Sequence, residues 1–172
     1  GKNFSCQSAY RHLLVQLLTV GSQKFPFDRL LRAVDQMVRD QIIADKVFMQ
    51  TGTSAYVPGC RHQPFCSREI FEEMMEQCDI LVTHGGAGTM IDAVRMGKKV
   101  IAVPRLARFG EHVDDHQLEL TERLHRMNLV YACLDVNRLA SALETVRNHR
   151  FDVFPSNTET FIASLDGYLR AL

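Results

Sequence analysis

The residues best suited to chemistry lie together in the stretch 79–97, DILVTHGGAGTMIDAVRMG. His84 is followed by Gly85, Gly86 and Gly88, and these lead into Thr89 and Asp92. Glycines at such a turn let backbone N–H groups approach an anion that a Cβ would hold off. A helix starting there adds unpaired N–H groups and the positive end of its dipole. The chemistry this suits is the binding of a phosphate or diphosphate. A plain tight turn uses the same residues, and the pattern is not the dinucleotide G-x-G-x-x-G. Asp92, four residues beyond the turn, can accept two hydrogen bonds from a ribose diol. It equally suits an ordinary acid near a helix N-terminus, worth about 0.3–1 kcal/mol. His84 is a candidate donor to a phosphate oxygen, although a histidine at a strand end is more often structural.

A second polar group follows at Asp115-His116-Gln117. Side chains at the start of a helix after a strand-end loop can reach sugar hydroxyls, and N-capping by Asp114 or Asp115 is the ordinary alternative. The loop 105–114 carries Arg105, Arg108, Glu111 and His112. Long loops at strand ends tend to be functional, and Glu111 and His112 are candidates, by proximity in this loop alone, for a base supplied in cis. Cys60, His62 and Cys66 match no standard zinc spacing and lack an evident fourth ligand. No Ser-His-Asp spacing or nucleophile elbow supports a hydrolase.

These residues need a scaffold, and the hydrophobic pattern supplies one. Ile80-Leu81-Val82-Thr83 is a short, β-branched run that reads as a buried strand, and helical spacing begins at Thr89 with Met90, Ile91, Val94 and Met96. Further strands are expected at 13–20, 47–50, 99–103 (closed by Pro104) and 129–133. A helix opened by Pro26 follows the first strand, with Phe27, Leu30, Leu31, Val34, Met37 and Val38 on one face. Other helices are expected at 68–77, 115–126 and 136–147, with an irregular stretch at 54–67. Ser156-x-x-Glu159 is a capping box opening an amphipathic helix over 156–172. Alternating strands and helices imply a parallel sheet covered on both faces. Ligands bind such sheets at the carboxyl ends of strands, where every unusual loop of this chain falls.

Composition narrows the function classes. The chain has 172 residues with a formal net charge of zero, so nothing asks for nucleic acid or an anionic membrane surface. Apolar residues make up 46%, which argues against disorder. No run approaches the roughly 18 apolar residues of a membrane-spanning helix. The five cysteines form no C-x-x-C pair, as expected of free thiols in a reducing cytosol.

Taken together, the motifs resemble the C-terminal domain of glycosyltransferase family 28, the donor-binding half of GT-B glycosyltransferases. The resemblance is carried by THGGAGTMIDAVRMGKKVIAVPR, GEHVDDHQLEL and TVGSQKFPFDRLL, and covers about 13–147. It is similar above all to the small catalytic subunits of two-subunit transferases, both the dolichol-linked GlcNAc type and the bacterial exopolysaccharide and capsule type. The resemblance implies an α/β fold, a Rossmann-like parallel sheet with helices on both faces. It divides the chain into a flexible lead (1–11), a nucleotide-sugar-binding domain (12–150) and the C-terminal helix (151–172), a candidate docking element.

By the same resemblance, Gly21 and Ser22 match the first glycine loop, facing the diphosphate. Phe65 and Cys66 fall near the backbone that reads uracil. His84, Gly85, Gly86, Gly88 and Thr89 match the diphosphate turn, Asp92 the ribose acid, and His116 and Gln117 the pair that holds the donor sugar. Asp replaces the commoner Glu at position 92, and the loop before His116 is longer than in single-chain relatives. The implied function is inverting transfer of a hexose from UDP-Gal, UDP-Glc or UDP-GlcNAc to a lipid-linked acceptor in exopolysaccharide or capsule synthesis. The alternative is a non-catalytic UDP-sugar-binding accessory subunit. No cofactor or metal is expected. A chain with room for one domain implies a membrane-anchored, acceptor-binding partner, which would place this chain at the cytoplasmic face of the membrane.

Overall fold

The computed structural model describes residues 16–19, 24–43, 46–154, 159–161 and 163–164. Its centre is a six-stranded, wholly parallel sheet. The strands are β1 (Gln16–Thr19), β2 (Val47–Gln50), β3 (Arg61–Gln63), β4 (Ile80–His84), β5 (Lys99–Val103) and β6 (Tyr131–Ala132). The helices are α1 (Asp28–Arg39), α2 (Arg68–Gln77), α3 (Ala87–Arg95), α4 (His116–Arg126) and α5 (Leu139–Asn148), with single 3₁₀ turns at Ala107–Phe109 and Val136–Arg138.

The strand order is β3-β2-β1-β4-β5-β6. It reverses between β1 and β4, whose registers run from Gln16↔Ile80 to Thr19↔Thr83. A reversal of this kind opens a crevice at the carboxyl ends of the two strands. Alternation along the central strands sends side chains to two separate cores. Ile80, Val82, Ile101 and Val103 pack with Leu30, Leu31 and Val34 of α1 and Leu139 and Leu143 of α5. Leu81, Val100 and Ala102 pack with Met75 of α2, Met90 and Ala93 of α3, and Leu120 and Leu124 of α4. Each fully buried side chain of this size stabilises the fold by about 1.5–3 kcal/mol.

Several elements differ from expectation, among them the last strand, shortened to Tyr131–Ala132, and the helix expected over 136–147, whose first turn, Val136–Arg138, is 3₁₀. Helix α1 starts at Asp28, two residues beyond Pro26; its N-cap is the buried Phe27, whose N–H donates to Ser54 Oγ at 2.8 Å. Helix α3 starts at Ala87, because Gly86 already serves as its N-cap. The stretch 54–67 contains β3, an edge strand without apolar alternation that pairs Phe48↔Arg61 through Gln50↔Gln63. The expected lead at 1–11, Gly21 and Ser22, and most of the helix at 156–172 lie outside the described residues; 159–161 and 163–164 are helical, and Phe161 packs edge-on against Phe154 at 5.7 Å.

Candidate functional site

The glycine turn sits at the carboxyl end of β4, beside the crevice. Gly86 caps α3 with no side-chain hydrogen bond, and the first helical bond runs from the Met90 N–H to the Gly86 carbonyl at 3.3 Å. The N–H groups of Ala87, Gly88 and Thr89 are therefore the open donors of the helix's first turn. The three glycines are not equivalent. A Cβ on Gly85 would fall 2.6 Å from Thr121 Oγ1 and 2.9 Å from the Gln117 carbonyl oxygen, inside α4. On Gly86 it would land on the His84 ring, 2.8 Å from Nε2. On Gly88 it would meet nothing within 4 Å. Gly85 and Gly86 are thus required by the chain's own packing, and of the three only Gly88 has open space at its Cβ position.

A single amide organises the turn. Gln117 Oε1 accepts from the Gly85 N–H and the Arg105 N–H, each at 3.1 Å. With its oxygen so fixed, the amide nitrogen donates to His84 Nδ1 at 3.2 Å. The proton of His84 must then sit on Nε2. His84 is 5% exposed, and burial, followed by the charge of Arg105, pushes its pKa down to about 4. At neutral pH it is an uncharged N–H donor. Gln117 is itself buried, with its oxygen shared between two backbone donors. The expected sugar contact is therefore, in this geometry, a strut joining the ends of β4 and β5 to α4.

The loop after β5 is built on buried charge. Arg105 is fully buried; its Nη1 donates to the carbonyls of Phe25 (2.7 Å), Pro26 (3.3 Å) and Glu111 (3.2 Å), and its guanidinium lies 5.0 Å from the Phe27 ring. Burial lowers its pKa to about 10, Glu111 working the other way, so it stays cationic at neutral pH. Glu111 accepts from Arg29 Nε (3.0 Å) and Nη2 (2.9 Å) and from the Leu106 N–H (3.1 Å). Both its oxygens are committed, which removes it as a candidate base. Gly110 turns this loop at φ 68°, a left-handed backbone that favours glycine.

Helix α4 begins beneath the same loop. Asp114 Oδ1 accepts from the His116 N–H at 3.1 Å, at the first residue of the helix, whereas Asp115, the N-cap residue, makes no side-chain cap bond and its Oδ1 instead accepts from the Ala107 N–H of the loop at 2.9 Å. His116 Nε2 lies 3.1 Å from Asp114 Oδ2, and His112 Nδ1 lies 3.0 Å from Asp114 Oδ1. The His112 ring is 5.9 Å from that of Phe25, across the crevice.

Across α3, Asp92 is exposed and within electrostatic reach of Arg68, which Glu72 holds at 2.8 Å. Arg68 opens α2 just after Phe65, 52% exposed, and the part-buried Cys66. Cys60, His62 and Cys66 do not converge: His62 Nδ1 is 2.8 Å from the Cys60 carbonyl, and no group of three ligand-type side chains stands ready for a metal among the described residues. The four described cysteines are free thiols. A 580 Å³ cavity lined by residues of β2, β3 and α2, Phe48, Arg61, Gln63 and Ile70 among them, includes none of the predicted site residues.

Arg105, Arg29 and Asp114 are site-forming residues whose roles sequence reasoning missed. The polar crowding of 105–115 was the available signal. Asp35 was missed as well: buried on α1, it accepts from Tyr56 Oη, the Gly59 N–H (3.0 Å) and Arg39 (3.0 Å) and so ties down the loop before β3.

A Rossmann-like parallel sheet with an open helix N-terminus at its topological switch is the architecture of a nucleotide-binding domain. The family model for the glycosyltransferase family 28 C-terminal domain matches residues 15–166, and the chain belongs to that family. It is 30% identical over 87 residues to the UDP-N-acetylglucosamine transferase subunit ALG13 of Yarrowia lipolytica, covering 49% of this chain and 42% of that protein. The human protein of the same name is 24% identical over 130 residues, 67% of this chain and 11% of its own length. The chain thus spans less than half the length of these relatives. Among solved structures, the solution structure of ALG13 superposes with a TM-score of 0.59 at 17% identity, covering 86% of this chain and 92% of that one. Acinetobacter baumannii MurG gives 0.59 at 19% identity, covering 83% and 44%. At such identities the structures speak for the fold.

Proposed function

We propose that this chain is the donor-binding, catalytic subunit of a two-subunit glycosyltransferase, moving a hexose from a UDP-sugar to a lipid-linked acceptor with inversion. The observation that carries the reading is the uncapped N-terminus of α3, whose one ligand-accessible glycine, Gly88, lies between a neutral N–H donor, His84, and an exposed carboxylate, Asp92. In this reading the open N–H groups and the His84 Nε2–H hold the diphosphate, and Asp92 takes the ribose. Phe65 and Cys66 border the uracil, His116 faces the sugar, and by the motif resemblance Gly21 and Ser22 belong to the phosphate-binding set. Gln117 positions His84.

The acceptor oxygen attacks the anomeric carbon, the bond from that carbon to the phosphate oxygen breaks, and UDP leaves with the electron pair. Donors fixed before the reaction stabilise that charge without reorganising, which is the effective form of such catalysis. No metal is assigned a role. The names of the relatives favour GlcNAc as the sugar and a subunit as the form of the protein. The motif resemblance favours exopolysaccharide or capsule synthesis, with a membrane-anchored partner supplying the acceptor at the cytoplasmic face.

The test is calorimetric titration of the chain with UDP, UDP-GlcNAc, UDP-Glc and UDP-Gal without divalent metal. UDP binding that Asp92→Ala abolishes, with the melting temperature unchanged, supports the assignment. Equal binding by wild type and variant refutes the site.

A further inference from the structure

The loop between β5 and α4 holds a second set of chemical groups that the diphosphate site does not use. His112 is 17% exposed, and its Nδ1 is engaged by Asp114 at 3.0 Å. The His116 N–H donates to the same oxygen, Asp114 Oδ1 (3.1 Å), and His116 Nε2 lies 3.1 Å from the other, Oδ2. An ionised carboxylate only accepts, so the proton it faces on His112 sits on Nδ1, and Nε2 of the neutral ring presents its lone pair. Nε2 has no hydrogen-bond partner among the described residues.

The position of the ring matters as much as its tautomer. Phe25, 5.9 Å away, follows β1, and His84, within electrostatic reach of His112, ends β4. His112 therefore stands over the crevice where the strand order reverses. The frame beneath it is rigid: Arg105 binds the Glu111 carbonyl immediately before it, and Arg29 fixes the Glu111 side chain.

We propose that His112 is the general base of transfer, carried on the donor-binding chain itself, and that Asp114 is its positioning residue. The inference rests on the donor-site reading above. His112 Nε2 takes the proton of the acceptor hydroxyl as that oxygen bonds to the anomeric carbon; the bond from carbon to the UDP oxygen breaks, and UDP leaves with the pair. With water in place of the acceptor alcohol, the same step yields free sugar, UDP and one proton released to solvent.

Asp114 is suited to its part. Burial acts to raise its pKa, but the His116 N–H and charge and the His112 bond together hold it below its ordinary value. The titratable groups around His112 are Asp114 and His116 on its own loop and α4, His84 from β4, and Arg105 and Glu111 beside it. Arg29 of α1 faces it only through Glu111.

The experiment measures UDP released from UDP-GlcNAc by the whole chain, with water as acceptor, beside UDP affinity by calorimetry. His112→Ala is expected to lose about 10²–10⁴ in rate while its UDP affinity changes by less than about threefold. The acid limb of the wild-type pH–rate profile should vanish in that variant, and added imidazole should restore part of its rate. Asp114→Asn should shift the limb and lower the rate less. A His112→Ala rate within about threefold of wild type, or a loss that imidazole does not relieve, overturns the assignment. So does a wild-type chain that binds UDP yet releases none from UDP-GlcNAc, because a base poised beside bound donor acts on water. A wild-type chain that does not bind UDP refutes the donor site itself, a separate result.

Discussion

The neutral state of His84 has a cost that can be read as a function of pH. The folded chain holds the imidazole at about 4, against 6.5 for a free histidine. In that window the unfolded chain binds a proton that the folded chain refuses. Stability is fully present above about 6.5 and declines as the pH falls toward 4. The gap corresponds to roughly 3 kcal/mol, an order-of-magnitude figure for a group this buried. His84→Gln removes the titration and leaves the carboxylates and other histidines in place. The difference in unfolding free energy between wild type and variant should therefore shrink by most of roughly 3 kcal/mol between about pH 7 and about pH 4.5. Urea unfolding followed by circular dichroism is the assay. With a slope of about 1–3 kcal/mol/M, the gap between the midpoints should move by on the order of 1–3 M. Imidazole ¹⁵N resonances add a second check, since Gln117 requires the proton on Nε2. Two stability curves that run parallel across the window would refute the reasoning, because they would mean that His84 titrates alike in both states.

Two contrasts extend the test to the rest of the site. Gly85→Ala drives a methyl into Gln117 and Thr121 and should destabilise by about 1–3 kcal/mol, whereas Gly88→Ala should leave the melting temperature level or raised and weaken UDP binding. A Gly88→Ala chain that keeps its UDP affinity would place the ligand elsewhere. Glu111→Ala strips the acceptor from Arg29 and the Leu106 N–H and should cost about 1–3 kcal/mol in chemical denaturation. If it abolished UDP release without that loss of stability, Glu111 would return as the base.

The sheet and its edge of unusual loops were legible because both depend on local pattern. Ile80 to Thr83 is apolar without interruption, and the glycines after it cannot continue a strand. β3 was not legible: Arg61-His62-Gln63 has no buried face, and only pairing to Phe48–Gln50 makes it a strand. The roles within the site were harder still. Gln117 reads as an outward polar residue at a helix start, yet its partners lie 12, 32 and 33 positions earlier, and no periodicity registers bonds of that reach. Arg105 reads as loop surface and is fully buried, because the carbonyls that receive it belong to Phe25 and Pro26. Glu111 and His112 were indistinguishable by proximity; what separates them is that Arg29 claims the one and Asp114 only orients the other.

The bonds that frame the loop also set the order of events in folding. Arg105 reaches carbonyls 80 and 79 residues before it, and Arg29 reaches Glu111 across 82. Contacts of such sequence separation must close a long loop before they return any stability, so local helices and neighbouring strand pairs form ahead of them. On a ribosome the first half of the sheet emerges while Arg105 and Glu111 are still unmade. The crevice becomes whole only when the two ends of that span meet, and capture of a nucleotide there would report a finished chain rather than a partly folded one.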